Sequence, residues 1–464
     1  SPVVVLNGLK ATGLQNRAGF TTAPAIREFA RQYVKWDWQT LSAAAVGEDV
    51  NRALKVAATA PRGPTYLGLP QDLLETPATV PVPPVARYRV AGRARPDPEL
   101  VAAAARLLAG AARPLLVAGD EVATAGAVGD FLALAECLGA PVAAADRRSL
   151  EVKAIPADHA QYVGLYAPSS LAAREADVLF LAGTRTFLEF EASAEPPLPP
   201  GARVIHLSAD PLEPGKRDPA DVALVADARL ALADLLAALE RLPASPRPER
   251  DAYLRRARED HAARLARWRE ATPKAEDVPI RVPALTGALA ALLGPETTLV
   301  ADAVTSSVAV LQDLLPVAGR YHTTASGSLG WGMGAALGLQ LAAPADEVVA
   351  IVGDGVFLFG VQALWTAVAA RLPVIYVVVN NRSYAAVKAA LARHGGEAVR
   401  RGAYPATDLA GPDLAAIARG FGAFGRRVER LADLAPAIAE ARAHGGPAVI
   451  EVLTDPGDIG PPPR

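Results

Sequence analysis

Residues 353–383 constrain the fold of this chain more than any other stretch. The stretch opens with a Gly-Asp-Gly turn centred on Asp354, directly after the apolar run Val348–Val352. An Asn-Asn pair ending at Asn381 directly follows a second apolar run, Pro373–Val379. A helix-length segment lies between, so the pattern predicts strand, helix and strand. Parallel strands joined this way bring their carboxyl ends to one sheet edge, where ligands usually bind, so we expect Asp354 and Asn381 to hold one cation.

The residue types in this turn suit a bound phosphate and a cation. Gly353 and Gly355 allow tight backbone geometry and close approach of a ligand. Backbone N–H groups at the start of the next helix can bind a phosphate, and the Asp354 carboxylate is a hard oxygen ligand for Mg²⁺ or Ca²⁺. Alone, the turn also suits a generic strand-to-helix connection. It is not a Rossmann fingerprint, because the third glycine, Gly360, lies too far along.

Composition is that of a multidomain globular protein. The chain has 464 residues, 51% of them hydrophobic, which predicts about two to four domains with large cores. Its formal net charge is −2 and it has no basic tract, so no nucleic-acid partner is expected. The apolar runs are too short to span a bilayer, so no membrane partner is expected either. The single cysteine, Cys137, excludes an intrachain disulfide and fits a reducing cytoplasm.

Strand and helix patterns alternate in three regions, which predicts an α/β fold of three doubly wound sheets with parallel strands. These regions are 1–75, 99–242 and 279–464, and the first is expected to lack its start because the chain begins in a strand. The Pro-rich segment 76–98 and the charged segment 243–278 read as linkers, the second with a solvated helix. Strands are predicted at Val3–Leu6, Pro64–Leu69, Pro114–Ala118, Pro141–Ala144, Asp177–Ala182, Arg203–Ser208, Thr298–Ala301, Glu347–Val352, Pro373–Val379 and Pro447–Leu453, and helices at Val50–Ala60, Glu99–Ala109, Gly126–Leu138, Ala228–Leu242, Leu329–Leu341 and Gly360–Ala370.

The spacing within the stretch carries a resemblance to a known family. Twenty-four residues separate Gly355 from Asn380. The stretch thereby resembles the cofactor signature of thiamine diphosphate-dependent enzymes, which is Gly-Asp-Gly, a spacer of about this length, and Asn-Asn. The spacer is also similar to that of the benzoylformate decarboxylase branch, notably at Ala363–Ala367 and Pro373–Ile375. The resemblance covers nearly the whole chain and is strongest across 320–390.

The resemblance implies a three-domain enzyme with thiamine diphosphate and Mg²⁺ or Ca²⁺ as cofactors. Residues 1–75 would be the later part of a pyrimidine-binding domain, 99–242 a central Rossmann-like domain, and 279–464 the diphosphate-binding domain. The implied chemistry is attack of the cofactor on the carbonyl of a small 2-oxo acid, followed by loss of CO₂. In this family the cofactor lies between domains of different subunits, so a homodimer or homotetramer is expected.

Carried over residue by residue, the resemblance implies the metal ligands. They would be the Asp354 carboxylate, the Asn381 side chain and the backbone carbonyl of Ser383. The cation would bridge the two phosphates of the cofactor, with phosphate oxygens and a water completing its shell.

The same carry-over implies contacts to the diphosphate. Gly355 and Val356, which follow Gly353 in the turn, would offer backbone N–H groups to it. Tyr384 matches the tyrosine that follows the metal ligands in the decarboxylases.

Residues upstream of the turn also match the family. Thr305 and Ser306 resemble a hydroxyl pair that touches the diphosphate, although hydroxyls at a strand end equally suit a helix cap. Leu329 stands where the family has the apolar side chain that wedges between the two cofactor rings and bends the cofactor. The carbonyl of Gly327 would hold the aminopyrimidine amino group. His322 could reach the mouth of the site, or could be a satisfied or solvent-facing histidine.

The central region carries Gly119-Asp120 and Gly183-Thr184 at strand ends. Some relatives bind FAD or ADP in this domain, whereas in the decarboxylases it is usually empty. A structural role is favoured for these residues.

Two departures from the family pattern stand out. The family's activating glutamate, together with a serine and a histidine of benzoylformate decarboxylase, is expected ahead of the strand at Val3–Leu6, outside this chain. The proton-transferring histidine of the decarboxylase corresponds here to Val282, which cannot carry a proton. Three hypotheses therefore remain: a 2-oxo acid decarboxylase, an acetolactate synthase-like carboligase, and a cofactor-binding homologue without turnover. Ala386 and Ala390 are small, which leaves room for a substrate side chain.

Overall fold

A computed structural model describes most of the chain: residues 1–17, 19–23, 25–82, 84, 87–88, 92–146, 149–153, 155–185, 196–243, 247–271, 279–315, 320–409 and 411–457. The chain forms two compact units. One comprises Ser1–Arg95 with Ala209–Pro211, and the other comprises Pro96–Ser208 with Leu212–Arg464. Parts of both predicted linkers, including 85–86, 89–91, 244–246 and 272–278, lie outside the described residues.

The first unit is built on a small parallel sheet. The described part of this sheet has three strands in the order β1-β3-β2. The predicted helix at Val50–Ala60 begins earlier, at Val46, with the acidic Glu48 and Asp49 in its first turn, where they favour the helix dipole. The elements are β1 (Val4–Leu9), α1 (Ile26–Arg31), β2 (Trp36–Gln39), α2 (Val46–Ala58), β3 (Thr65–Pro70) and α3 (Gln71–Glu75).

The second unit begins with a doubly wound parallel sheet. Its described strands follow the order β10-β9-β8-β4-β5-β7. The strand predictions at Pro114–Ala118 and Arg203–Ser208 are confirmed. The elements are α4 (Pro98–Gly110), β4 (Pro114–Ala118), α5 (Asp120–Thr124), α6 (Val128–Leu138), β5 (Val142–Ala144), β6 (Val152–Lys153), β7 (Tyr162–Leu165), α7 (Leu171–Glu175), β8 (Val178–Ala182), β9 (Arg203–Ser208), β10 (Val222–Val225), α8 (Ala228–Glu240) and α9 (Pro248–Ala271).

The expectation of a solvated linker helix after residue 243 is wrong in one respect. Helix α9 does form there, but its Tyr253 and Ala257 are buried. The Tyr253 hydroxyl donates to the carbonyl of Ala172, so the helix packs against the central region.

A second sheet follows in the same unit. In the described residues its strand order is β15-β16-β14-β13-β11-β12-β6. Its elements are α10 (Val282–Leu292), β11 (Thr298–Asp302), α11 (Ser307–Ala309), a π-helical turn (Val310–Leu314), β12 (Arg320–Thr323), α12 (Trp331–Ala342), β13 (Val348–Gly353), α13 (Asp354–Gly360), α14 (Ala363–Ala369), β14 (Ile375–Asn380), α15 (Ala385–His394), α16 (Glu397–Arg401), α17 (Leu414–Gly420), β15 (Phe424–Val428), α18 (Leu434–His444) and β16 (Ala448–Leu453).

The expectation that every strand pair is parallel is wrong at one edge of this sheet. Strand β6, from the central region, pairs antiparallel with β12, with Tyr321 opposite Lys153 and His322 opposite Val152. An antiparallel strand at the edge of a parallel sheet is common, because it covers N–H and C=O groups that would otherwise be unpaired.

Two helices before and after β13 differ from the prediction. The helix predicted at Leu329–Leu341 begins at Trp331, because Gly330 precedes it in a left-handed conformation, with φ of 93°. The helix predicted at Gly360–Ala370 forms as the shorter α14, Ala363–Ala369, and a separate helix that was not predicted, α13, spans Asp354–Gly360. A Cβ at Gly360 would lie 2.7 Å from the carbonyl oxygen of Gly330, so close backbone packing fixes the end of α13.

The central strands of both sheets are buried on both faces, as their continuous apolar sequences predict. One apolar core contains residues of both sheets, among them Leu179 of β8 and Ile450 of β16. Each fully buried side chain of this kind stabilises the fold by roughly 1.5–3 kcal/mol. The polar residues at the ends of these strands therefore follow directly from buried, well-packed backbone. Within the described residues, no helix is both long and apolar enough to traverse a membrane.

Candidate metal and diphosphate site

Two neighbouring strand ends bring Asp354 and Asn381 together. Strands β13 and β14 are parallel partners, with Gly353 opposite Val379. Asp354 follows one strand and Asn381 follows the other. The backbone N–H of Ser383 donates to Asp354 Oδ2 at 3.3 Å and to Asn381 Oδ1 at 3.0 Å. Both side-chain oxygens therefore lie beside the same N–H group.

Asp354 is a buried carboxylate without a cationic partner. Its side chain also accepts from the N–H of Gly355 at 2.7 Å, and the residue is 6% exposed. Burial raises the pKa of Asp354 above its ordinary value, and the backbone N–H groups of Gly355 and Ser383 act in the opposite direction. Among the described residues, no Lys, Arg or His side chain counters this charge. A bound cation would supply the missing positive charge.

The donor set fits a hard divalent cation. Asp354 offers a carboxylate oxygen, Asn381 an amide oxygen and Ser383 a backbone carbonyl, which are the ligand types that Mg²⁺ and Ca²⁺ prefer. The Ser383 carbonyl accepts the N–H of Ala385 at 2.8 Å, and a carbonyl oxygen has a second lone pair for a metal. In the described part of the chain, this site included, no three His, Cys, Asp or Glu side chains cluster as metal ligands would, so the donor set here relies on amide and backbone oxygens beside one carboxylate.

The loop that carries Asn381 and Ser383 is braced by a segment that the sequence did not reveal. The N–H of Tyr384 donates to the carbonyl of Thr407 at 2.7 Å, and the N–H of Leu409 donates to the carbonyl of Arg382 at 2.8 Å. The Ser383 hydroxyl donates to the same Thr407 carbonyl. No local pattern in residues 407–409 signals this role, because it depends on backbone groups alone. We call residues 381–384 the metal loop.

The turn after β13 lies beneath an aromatic ring. A Cβ on Gly355 would lie 3.0 Å from Cε1 of Tyr384, so the ring packs directly over this glycine. Gly355 and Val356 belong to the first turn of α13, whose leading N–H groups have no partner within the helix. The Gly355 N–H is engaged by the Asp354 carboxylate, whereas Val356 is buried. Gly353 precedes them in extended backbone.

Gly327 and Leu329 lie in the connection between β12 and α12. The carbonyl of Gly327 accepts the N–H of Leu329 at 3.1 Å. The Leu329 side chain is 44% exposed, which is unusual for a leucine beside so much buried structure. The next residue, Gly330, packs on the end of α13, where its Cβ would lie 3.1 Å from the N of Gly360. Leu329 therefore directly precedes a glycine that packs on the end of α13, near Phe359 and Gly360.

Thr305 and Ser306 follow β11 in a short 3₁₀ turn. Ser306 is buried and occupies the N-cap position of α11, but its side chain makes no capping hydrogen bond. The capping alternative for this hydroxyl is therefore wrong.

His322 lies in a strand and Val282 is the first residue of a helix. His322 is within β12, between Val300 of β11 and Val152 of β6, and burial together with Arg320 lowers its pKa. It is therefore a neutral strand residue at neutral pH. Val282 is buried in the apolar core at the start of α10.

Asp302 is a buried residue of this sheet edge that sequence reasoning missed. It ends β11 and accepts the N–H of Gly332 at 3.0 Å, which fixes the start of α12. Burial raises the pKa of its carboxyl. The sequence could have indicated this residue, because Asp302 directly follows the predicted strand Thr298–Ala301, as Asp354 follows the apolar run and Gly353.

The strand ends of the central sheet are closed. A Cβ on Gly119 would lie 2.3 Å from the Cα of Thr184, so the two backbones are in contact. The Asp120 carboxylate accepts the N–H groups of Glu151 and Val152 at 2.9 Å each, and pairs with Arg185 at 3.3 Å. These contacts support the structural role expected for Gly119-Asp120 and Gly183-Thr184.

Two segments of the chain match known family domains. Residues 101–235 match the family described as thiamine pyrophosphate enzyme, central domain. Residues 303–452 match the family described as thiamine pyrophosphate enzyme, C-terminal TPP binding domain. The second match spans every candidate metal and diphosphate residue from Thr305 to Tyr384.

Full-length relatives are also similar. The chain is 30% identical to benzoylformate decarboxylase of Pseudomonas aeruginosa over 460 residues, covering 98% of this chain and 82% of that protein. It is 31% identical to the acetolactate synthase large subunit of Parasynechococcus marenigrum over 445 residues, covering 92% and 68%.

Solved structures show the same similarity. Benzoylformate decarboxylase from Polynucleobacter necessarius aligns with a TM-score of 0.81 at 26% identity, covering 98% of this chain and 82% of that one. The thiamine diphosphate-dependent 4-hydroxybenzoylformate decarboxylase of Rhodococcus jostii aligns with a TM-score of 0.81 at 27% identity and the same coverage.

Proposed function

Because this chain belongs to the thiamine pyrophosphate (thiamine diphosphate) enzymes, we propose that it binds this cofactor through Mg²⁺ and decarboxylates a 2-oxo acid. One observation carries the proposal. The buried carboxylate of Asp354 and the amide oxygen of Asn381 flank one N–H group, and no cationic side chain of the described residues balances the carboxylate. The domain limits 1–75, 99–242 and 279–464 are part of this proposal.

Different residues of the site would bind the cation and the diphosphate of the cofactor. Asp354, Asn381 and the Ser383 carbonyl would hold the cation. The Ser306 hydroxyl, buried without a capping bond, would contact the diphosphate together with Thr305 and the first turn of α13. When bound, thiamine diphosphate supplies a nucleophilic thiazolium carbon and an electron sink for the electrons released with CO₂.

Residues near α12 would orient the organic part of the cofactor. The half-exposed Leu329 offers an apolar side chain to the rings, and the Gly327 carbonyl offers an acceptor to an amino group. Tyr384 shields the Gly355 turn from water on one side. His322, held neutral within a strand, has no assigned step.

The identity of the reaction rests on Val282 and on the relatives. The decarboxylase relatives support an aldehyde product, from an aromatic 2-oxo acid in the first instance. The acetolactate synthase relatives support the second candidate, carboligation to a hydroxyketone. The buried Val282 favours a reaction that needs no proton-transferring histidine at this position, and so keeps carboligation and turnover-free binding open.

We also propose that the protein forms a homodimer or homotetramer and is located in the cytoplasm. A homodimer or homotetramer is supported by large apolar side chains exposed on α12–α14, among them Trp331, Phe359 and Trp365, of which Trp365 is 69% exposed. The lone and exposed Cys137 supports a reducing cytoplasm.

A panel of 2-oxo acids tests the proposal directly. The full-length protein, including any segment that precedes Ser1, is incubated with thiamine diphosphate, Mg²⁺ and each of benzoylformate, 4-hydroxybenzoylformate, pyruvate and 2-oxobutyrate, and CO₂ and organic products are measured. Release of CO₂ with an aldehyde supports the decarboxylase, and release with a hydroxyketone supports the carboligase. An Asp354→Ala protein is the matched control, which should release none. Tight cofactor binding without CO₂ from any acid would leave only the turnover-free homologue.

A further inference from the structure

Glu451 is a fully buried carboxylate that the proposed cofactor site does not use. It lies in β16, paired with Val378 of β14 and with Arg427 of β15, and its exposure is 0%. A buried carboxylate is costly unless its oxygens find donors. Glu451 Oε2 accepts the N–H of Ala415 at 3.1 Å and Nε of Arg427 at 3.0 Å. Its other oxygen, Oε1, accepts Nη2 of Arg427 at the longer distance of 3.4 Å and lies at the end of the neighbouring strand β14.

That oxygen determines how the Asn380 side chain is turned. Asn380 Nδ2 donates to Glu451 Oε1 at 2.6 Å. Since an ionised carboxylate only accepts, the amide must present its NH₂ end to Glu451. The amide oxygen of Asn380 is therefore directed to the opposite side, where it accepts the N–H of Arg382 at 3.0 Å.

The Arg382 contact sets the conformation of the metal loop. Arg382 is in the left-handed region, with φ of 57°, which is uncommon for a residue other than glycine and needs support from its surroundings. The next N–H along, that of Ser383, is the one that Asp354 and Asn381 share. Two hydrogen bonds, from Asn380 Nδ2 to Glu451 and from the Arg382 N–H to Asn380 Oδ1, and one step along the backbone to Ser383 thus connect Glu451 with the candidate cation ligands.

We propose that Glu451 is a positioning residue for the metal loop. By orienting the Asn380 amide, it holds Arg382 in its left-handed conformation and so keeps Asn381 and Ser383 aimed at the same point as Asp354. This inference rests on the proposed function, since it assigns a support to that cation site. Partners behind metal ligands typically change metal affinity about 10–100-fold when removed.

The test measures cation affinity and stability separately. Mg²⁺ is titrated into the protein with excess thiamine diphosphate by calorimetry, and thermal unfolding is followed without ligand. Glu451→Gln replaces an accepting oxygen with an NH₂ group, which cannot accept from the donors that surround Glu451. Asn380→Ala removes the side-chain oxygen that accepts the N–H of Arg382. Each variant is expected to bind Mg²⁺ at least about tenfold more weakly. If Glu451→Gln does not fold, Asn380→Ala alone decides.

Arg427→Met is the matched control. It removes the Arg427 contacts with both Glu451 oxygens, from Nε to Oε2 at 3.0 Å and from Nη2 to Oε1 at 3.4 Å, but leaves the shorter bond from Asn380 Nδ2 to Oε1 in place. Its unfolding temperature should fall, while its Mg²⁺ affinity stays within about twofold of wild type. Wild-type Mg²⁺ affinity in folded Asn380→Ala, or an equal loss in Arg427→Met, would overturn the inference. A wild type that binds no thiamine diphosphate with Mg²⁺ would instead overturn the proposed function, and this inference with it.

Discussion

Two Gly-Asp turns in this protein begin alike and end in different roles. Gly119-Asp120 follows β4 and opens α5, and Gly353-Asp354 follows β13 and opens α13. Burial raises the pKa of both carboxyls. Asp120 is balanced by the Arg185 guanidinium and by two backbone N–H groups of the segment that leads into β6. Asp354 has backbone N–H groups and an amide oxygen beside it.

The difference lies in what the neighbouring strand end contributes. Beside Asp120, the end of β8 continues into Thr184, whose backbone contacts Gly119, and then into Arg185, whose guanidinium pairs with Asp120. Beside Asp354, it supplies the oxygens of Asn381 and Ser383. The same dipeptide therefore closes one sheet edge as structure and leaves the other with an acidic site that a divalent cation would complete in the proposed function.

The largest expected effect separates the two carboxylates. Asp354→Ala should weaken Mg²⁺-dependent binding of thiamine diphosphate by more than about 100-fold, because it removes a direct ligand rather than a supporting partner. Asp120→Ala should lower thermal stability and leave cofactor affinity unchanged. Calorimetry of cofactor binding and thermal unfolding of both variants measure this. Unchanged binding by Asp354→Ala would remove the metal assignment.

Substitution of the glycine should reduce stability more in the Gly119-Asp120 turn than in the Gly353–Gly355 turn. Gly119→Ala would set its Cβ against the Thr184 backbone, and we expect a loss of about 1–3 kcal/mol in the free energy of unfolding. Gly355→Ala meets the Tyr384 ring at 3.0 Å, which can shift, so its stability loss should be smaller and its cofactor affinity reduced. Denaturant unfolding compares the two. Equal stability losses would show that both turns are equally closed.

A pH dependence is expected in the strand that Asp120 supports. Burial lowers the pKa of Lys153 from 10.5 to about 8. Below pH 8 both folded and unfolded states are protonated and the folded state bears the full cost of the buried charge. Between about pH 8 and 10.5 the unfolded state binds more protons, so wild-type stability rises with pH.

Lys153→Met should therefore stabilise the protein at pH 7. The gain should be about 1–2 kcal/mol, because a pKa unit is worth about 1.4 kcal/mol and the lost cation–π contact with Tyr162 offsets part. The advantage over wild type should vanish above about pH 10.5. A gain that is independent of pH in chemical unfolding would contradict this account.

The smallest expected effects distinguish two serines at helix starts. Ser170 caps α7, since its Oγ accepts the N–H of Ala173 at 3.1 Å, whereas Ser306 makes no such bond. Ser170→Ala should cost about 1 kcal/mol of stability without changing cofactor affinity. Ser306→Ala should weaken cofactor binding by roughly fivefold, as expected for one hydrogen bond. The reverse pattern in the two assays would reject Ser306 as a diphosphate contact.

Local sequence was sufficient to predict a strand where a short, continuous apolar run fits only a buried strand. The strand β4 follows from its continuous apolar sequence. The two-residue strand β6 and the four-residue β2, in which Trp alternates with polar residues, could not be predicted, because pairing with distant partners creates them. The separate helix α13, Asp354–Gly360, was missed for the same reason, since Gly330 and Gly360, at its end, meet only in the folded chain.

The sequence by itself determined the α/β class and the family resemblance, because the spacing between strand ends is written along the chain. That resemblance implies the cation ligands Asp354, Asn381 and Ser383, which remain a prediction. Tertiary structure decided which buried carboxylates are balanced: Asp120 by Arg185, Glu451 by Arg427 and Asn380, and Asp354 by no described cation. A carboxylate's role depends on the charges that the fold brings around it, and those charges come from residues far away in sequence.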